Sequence, residues 1–254
     1  MRTILVIGIG AGNPDYLTLQ AIKAMNRAEV FFMPDKGEEK AGLNAIRLAM
    51  LEQFVTAPNY RLVEFAIPSR RKAATPDYRE SVEEWRDKLE LAYRRMFAEL
   101  PDDGVGAFLV WGDPALYDGT LRILRDMQAA GWEIAVEVIP GISAPQALAA
   151  QHQVTLNRVG EAVTITTGRR VGEGEADRLS SAVVMLDNHQ VFRRFAGDEA
   201  EIFWGAYLGT ADEILVAGKV SEVMDEIDAK RREAQARHGW IMDTYMIRKP
   251  EKPT

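Results

Sequence analysis

Val105-Gly106-Ala107-Phe108-Leu109-Val110-Trp111-Gly112-Asp113-Pro114 is the stretch on which the fold turns. An uninterrupted apolar run closed by Gly-Asp-Pro reads as a strand buried on both faces that stops at a tight turn. A long helical pattern precedes it. From Tyr78, residues Val82, Trp85, Leu89, Ala92, Tyr93, Met96 and Phe97 recur at three and four, and Pro101-Asp102-Asp103-Gly104 ends the helix. Further upstream, Thr3 to Ile7 is a second buried strand. The helix after it opens at Thr18 as N-cap and places Leu17, Ala21, Ala24, Met25 and Ala28 on one face. Glu29 to Met33 reads as a strand stopped by Pro34, Leu43 to Leu51 as a helix, and Arg61 to Ile67 as an alternating strand. Strand and helix in alternation predict a mainly parallel sheet with helices on both faces.

Downstream of Pro114 the series restarts. Leu121 to Met127 is helical, Ile134 to Ile139 a strand and Ala144 to Ala150 a short helix. Strands are then expected at Val163–Thr166, Val183–Leu186, Ile202–Tyr207 and Ile214–Val216, with spacers short enough for a mixed sheet. The restart divides the chain into two α/β domains, residues 1–115 with the parallel sheet and residues 116–254 with the mixed one.

Composition narrows the function classes. The 254 residues include no cysteine, so disulfides, thiolate metal sites and a Cys nucleophile are excluded. A formal net charge of −7 argues against a nucleic-acid surface. The opening MRTILVIGIGAG is too short an apolar run for a signal peptide or a membrane span, so a soluble cytoplasmic protein is expected.

Gly8-Ile9-Gly10-Ala11-Gly12-Asn13-Pro14 lies between a strand and a helix, where backbone N–H groups can cradle an anion. It invites a dinucleotide site with Glu29 or Asp35 as the ribose-binding acid, hence a nicotinamide oxidoreductase. The third glycine of that fingerprint is Asn13 here, however, and no Lys-Ser/Thr pair completes a phosphate loop. Trp111 to Tyr117 and Ile139-Pro140-Gly141-Ile142-Ser143-Ala144-Pro145 both follow strands, where ligands gather in open α/β sheets. Ser143 also reads as an N-cap. His152, His189 and His238 share no metal-ligand spacing, and no metal site is expected. Of the basic clusters Arg70-Arg71-Lys72, Arg169-Arg170 and Arg193-Arg194, only Arg169-Arg170 stands at a strand end, where it could pair with a carboxylate.

Four stretches, GIGAGNPDYLT, WGDPALY, VIPGISA and WGAYLGT before EILVAGK, occur in an order that resembles the tetrapyrrole methylase family. The long helix around Tyr78, Trp85 and Tyr93, the Asp187-Asn188-His189 segment and Trp204 to Tyr207 are similar to its deacetylating corrin-ring methylases of aerobic cobalamin biosynthesis. Ala11 and Asn13 depart from the Pro and Asp common in the family. The resemblance implies two α/β domains with S-adenosylmethionine in the cleft between them, S-adenosylhomocysteine as product, an anionic tetrapyrrole substrate and a homodimer. It implies a cofactor site of Gly112, Asp113, Pro114, Thr120, Ile142, Ser143, Leu186, Gly205 and Ala206. The glycine loop, with Asp15 and Tyr16, would face the tetrapyrrole instead of a nucleotide.

For the deacetylating branch the resemblance implies methyl transfer to a ring carbon and release of acetate. The second step needs a base for water. Asp15, Asp113, Asp118 and His189 are candidates. Asp15, Tyr16 and His189 are taken as the catalytic set, and Asp113 as a positioning residue. The alternatives are a sister corrin-ring or uroporphyrinogen methylase, a diphthine synthase, a nicotinamide oxidoreductase and a non-catalytic tetrapyrrole carrier.

Overall fold

The computed structural model describes residues 1–35, 41–56, 59–66, 78–175 and 180–250. Arg70-Arg71-Lys72 and Ile67 lie outside the described residues, as do the side chains of Asp35, Tyr78, Val82 and Trp85. The chain divides into two compact units, Met1–Gly10 with Pro14–Gly141, and Ala11–Asn13 with Ile142–Thr254.

In the first unit β1 (Arg2–Gly8), β2 (Val30–Asp35), β3 (Arg61–Ala66), β4 (Val105–Val110) and β5 (Ile134–Ile139) form one sheet in the order β3-β2-β4-β1-β5. Every pairing is parallel. Between them run α1 (Leu19–Met25), α2 (Ala41–Phe54), α3 (Tyr78–Ala98) and α4 (Thr120–Ala129). The chain moves outward from β1 to β3 and then returns through β4 to β5. Right-handed crossovers therefore send α1 and α2 to one face and α3 and α4 to the other. The core follows this division. Ala21, Met25, Met50 and Leu51 pack with Leu5, Ile7, Phe31 and Leu109. Leu89, Tyr93, Phe97 and Leu124 pack with Ile4, Val6, Phe32 and Phe108. Alternate residues of each central strand thus feed opposite layers.

The Thr18 cap forms as the sequence predicts, its Oγ1 accepting from Ala21 N–H at 3.0 Å. Two readings need correction. Pro34 does not stop β2, which runs on to Asp35. Pairing with β4 ends at Phe32↔Phe108, so beyond that point one edge of β2 demands no donor from proline. The boundary also moves, because β5 pairs with β1 throughout and the first unit extends to Gly141, past residue 115.

In the second unit β6 (Thr164–Thr167), β7 (Ser181–Met185), β8 (Glu201–Ala206), β9 (Ile214–Lys219) and β10 (Asp243–Arg248) form a sheet ordered β6-β7-β10-β8-β9. β6 and β7 are parallel and the other pairs antiparallel, which makes the sheet mixed. α5 (Ala144–Gln151), the single turn α6 (Gly168–Arg170) and α7 (Val220–His238) complete the unit. Phe192, Phe195, Trp204, Tyr245, Val220 and Ile227 centre its core. Both α7 and β10 are additions to the elements read from sequence, and β10 occupies the middle of the sheet.

Candidate active site at the strand ends

The carboxyl ends of β1, β4 and β5 approach one another through glycines. A Cβ on Gly8 would stand 2.6 Å from Gly141 N, and one on Gly141 would stand 2.2 Å from Gly112 O. Neither contact leaves room for a side chain. Gly112 also takes φ +69 and pairs with Gly10 in an antiparallel bridge, with N···O distances of 3.2 and 2.7 Å. The Gly10 N–H is spent on this bridge, and α1 begins only at Leu19, after a short 3-10 turn over Pro14–Tyr16. The dinucleotide reading of the glycines loses its basis, since no helix N-terminus follows them directly.

Asp113 fixes the turn that leaves β4. Its Oδ1 accepts from Ala115 N–H at 2.7 Å and its Oδ2 from Gly141 N–H at 2.9 Å. The carboxylate thereby ties the β4 turn to the end of β5, and Pro114 follows it into the turn. Five residues on, Asp118 Oδ1 accepts from Thr120 N–H at 2.8 Å, which starts α4. The Thr120 side chain is hydrogen-bonded to the Tyr93 phenol, whose pKa burial raises well above its ordinary value. Asp15 is exposed and Tyr16 half-buried, with Tyr16 Cβ 2.7 Å from where a Gly10 Cβ would lie. The turn residue Tyr117 is exposed in a left-handed conformation, φ 56.

One further residue of this unit faces the end of β4. Arg47 on α2 is only 5% exposed, and its Nε donates to Leu109 O at 3.1 Å. Its Nη1 donates to Leu43 O at 3.4 Å and Asn44 Oδ1 at 3.1 Å.

In the second unit Ile142 leads into Ser143, the extended N-cap of α5, whose N–H and Oγ–H both lie 2.8 Å from Gln146 Oε1. At the carboxyl end of β7, Leu186 is 62% exposed and held at φ 54. A bulky, exposed, left-handed residue is strained, and surrounding structure must hold it there. Buried Asp187 does so. Its Oδ1 accepts from His189 N–H at 2.9 Å, and its Oδ2 accepts from Val191 N–H and the Tyr245 hydroxyl, each at 2.8 Å. The imidazole of His189 is exposed. Gly168 is a glycine for the same reason, because its Cβ would meet Asp187 Oδ1 at 2.6 Å. Behind this segment Arg231 donates to Asp187 O at 3.0 Å, and Asp243 Oδ2 receives Arg231 Nε and Trp204 Nε1 at 3.0 Å each. Gly205 and Ala206 close β8, and a Cβ on Gly205 would meet Leu208 at 2.6 Å.

The first unit thus groups Gly112, Asp113, Pro114 and Thr120 on one turn, with Asp15 and Tyr16 on the neighbouring loop. His189, Ile142, Ser143, Leu186, Gly205 and Ala206 belong to the second unit. The basic pairs have other partners. Arg169 ion-pairs with Glu173 at 2.7 Å and Arg193 with Asp225 at 3.1 Å, both on exposed surface. Among the described residues no group of three His, Cys, Asp or Glu side chains is arranged to hold a metal. No helix among them is long and apolar enough to cross a membrane.

Residues 3–224 match the family of tetrapyrrole (corrin/porphyrin) methylases. The chain is 49% identical over 251 residues, 98% of its length and 96% of the relative's, to a precorrin-6A synthase (deacetylating) of Sinorhizobium sp.. It superposes with a TM-score of 0.84 and 38% identity on a cobalamin-synthesis-related protein, CobF, from Corynebacterium diphtheriae, covering 99% of this chain and 100% of that one. A uroporphyrin-III C-methyl transferase from Thermus thermophilus, solved with S-adenosyl homocysteine, shares the fold at a TM-score of 0.58 and 17% identity, with 97% of each chain covered. From the first strand into α7, this chain is a member of the tetrapyrrole (corrin/porphyrin) methylases.

Proposed function

We propose that this chain is a deacetylating precorrin-6A synthase, which methylates precorrin-5 at ring carbon 1 and releases acetate. The observation that carries the reading is the 49% identity, over 98% of the chain, to a relative described by that activity. We propose S-adenosylmethionine as the cofactor, with Gly112, Asp113, Pro114 and Thr120 of the first unit and Ile142, Ser143, Leu186, Gly205 and Ala206 of the second as its residues. In support, Leu186 presents an exposed apolar side chain at the end of β7, and Gly112 a turn residue without a side chain at the end of β4. When bound, the cofactor supplies an electrophilic methyl group.

The protein's share is alignment and exclusion of water. Asp113 holds the β4 turn rigid, and with both oxygens already accepting it is a poor choice of base. Deacetylation needs water added to the acetyl carbonyl, the bond to the ring breaking as acetate leaves. Asp15, Tyr16 and His189 are the groups we assign to that proton traffic. On this reading the enzyme works in the cytoplasm as a homodimer on an anionic tetrapyrrole.

Incubating the purified protein with precorrin-5 and methyl-labelled S-adenosylmethionine tests the proposal. One acetate is expected for each methyl group transferred. Methyl transfer without acetate would assign the chain to a sister methylase, and no transfer to any tetrapyrrole would exclude the enzyme reading. Asp113→Ala is expected to weaken S-adenosylhomocysteine binding by about tenfold, the cost of about one charge-assisted hydrogen bond.

A further inference from the structure

The end of β4 is flanked on both sides by strands that lead to the opposite layer. β1 and β2 continue into α1 and α2, whereas β4 continues into α4 on the other face. Such reversals open crevices at the carboxyl edge of a sheet, and ligands enter there. On the β1 side the crevice is bridged by Gly10 and Gly112. On the β2 side the strands part after Phe32↔Phe108, and Arg47 takes the place of the missing ladder by donating to Leu109 O.

Arg47 is an unusual occupant of that position. Its partners are two backbone carbonyls and the Asn44 amide oxygen, all neutral. Asp118 acts on it electrostatically, yet among the described residues no carboxylate lies within ion-pair distance. Nη2 donates to no described protein atom and is not among the fully enclosed polar atoms. Burial lowers the guanidinium pKa to about 10, and it remains a cation at neutral pH. Among the described residues this desolvated cation has no counter-ion, which is costly, and the two N–H groups of Nη2 are left to donate to a carboxylate oxygen.

We infer that Arg47 receives a carboxylate of the reactants in the crevice between the ends of β2 and β4. The inference rests on the proposed function, whose two reactants both carry carboxylates: the tetrapyrrole on its side chains and the cofactor on its methionine portion. The tetrapyrrole is the source the charge balance favours, because a polycarboxylate entering a chain of net charge −7 needs a local cation.

The test uses the full chain, uroporphyrin III as a polycarboxylate probe followed by fluorescence, and S-adenosylhomocysteine followed by calorimetry. Arg47→Gln should weaken uroporphyrin binding by about tenfold or more and flatten its salt dependence, leaving the S-adenosylhomocysteine Kd within about twofold. Arg47→Lys keeps the charge but loses the planar head whose Nε and Nη1 are anchored on Leu109 O and Asn44, so it should lose several-fold while keeping the wild-type salt slope. The opposite pattern, with only S-adenosylhomocysteine weakened, also supports a carboxylate on Arg47 and assigns it to the cofactor. Unchanged affinity for both ligands overturns the inference. So does a parallel loss of both with a lowered Tm, which would leave Arg47 as a cap on Leu109. Should Arg47→Gln not fold, wild-type affinities in Arg47→Lys overturn it. A wild-type protein that binds neither ligand removes the proposed function as well, whereas normal methyl transfer with insensitive variants removes this inference alone.

Discussion

Gly141 shows how little tolerance the strand ends have at the level of single residues. Its missing Cβ would lie 2.2 Å from Gly112 O and 2.8 Å from Gly8 C, both backbone atoms that no rotamer change can move. Gly141→Ala is therefore expected to cost about 2–3 kcal/mol or more by forcing β4 and β5 apart. Gly119 is a matched control, with nothing within 4 Å of its added Cβ. Gly119→Ala should change stability by no more than about 0.5 kcal/mol, because backbone entropy gained offsets the weaker N-cap. Urea melts of the two variants check both values, and equal losses would sink the backbone-contact argument. Part of this region is legible without coordinates. Gly-Asp-Pro at the end of an apolar run marks the tight turn that leaves β4, and Ser143 announces a helix start. Arg47 is not legible, since an arginine in Asn44-Ala45-Ile46-Arg47-Leu48 reads as part of a solvated helix face. Its burial follows from where β2 and β4 part, a tertiary event that no local pattern records.

Elements were read well where their apolar content was dense. β5 has the predicted bounds, and β1 and β4 differ by a residue or two at their ends. α7 carries a proper stripe, Val220, Val223, Met224, Ile227 and Ala234, but charges crowd the positions between and dilute the period. β10 is a central strand whose inward residues include Thr244 and, at its start, Asp243, so it lacks the all-apolar signature of β4. These two elements meet at a buried ion pair. Arg231 Nε stands 3.0 Å from Asp243 Oδ2, with both side chains about nine-tenths buried. Burial raises the Asp243 pKa above its ordinary 3.8, and the Arg231 charge opposes the rise. Arg231→Met removes that opposition and leaves a buried carboxylate with no cation and only the Trp204 Nε1 hydrogen bond, at a cost of about 3–5 kcal/mol near neutral pH. The sign of the pH dependence follows. In the variant the folded pKa rises further above the unfolded value, so the folded state binds the extra proton across the window between them. Stability of Arg231→Met should then climb as pH falls through that window, narrowing its gap from the wild type. A gap constant from pH 7 down to 4, in urea melts, would show that Asp243 stays protonated or solvated throughout.

For the whole molecule, the decisive observation is that each unit, among the described residues, carries a core of its own. The two layers around the first sheet use residues between Ile4 and Ile139, and the cluster of the second unit uses residues between Val171 and Ile247. All of the first sheet and the helices on both its faces lie within residues 1–141. The bidentate pair of Arg27 with Glu137, at 3.0 and 2.9 Å, links the turn after α1 to the edge strand inside the same unit, though an exposed pair adds at most about 1 kcal/mol. A chain of this size buries about two-thirds of its unfolded surface, enough for the few kcal/mol by which ordinary domains are stable. Residues 1–141 expressed alone should therefore fold, giving mixed helix and strand circular dichroism and one cooperative urea transition with a slope of about 1–3 kcal/mol/M. The cofactor reading adds a second outcome for the same fragment. It retains the Gly112, Asp113 and Thr120 turn but lacks Ser143, Leu186, Gly205 and Ala206, so S-adenosylhomocysteine binding should be lost while the fold persists. A fragment with dye-binding apolar surface and no cooperative transition would mean that the first core needs the rest of the chain. A folded fragment that still binds S-adenosylhomocysteine at full affinity would mean that the second unit's residues were assigned to the cofactor wrongly.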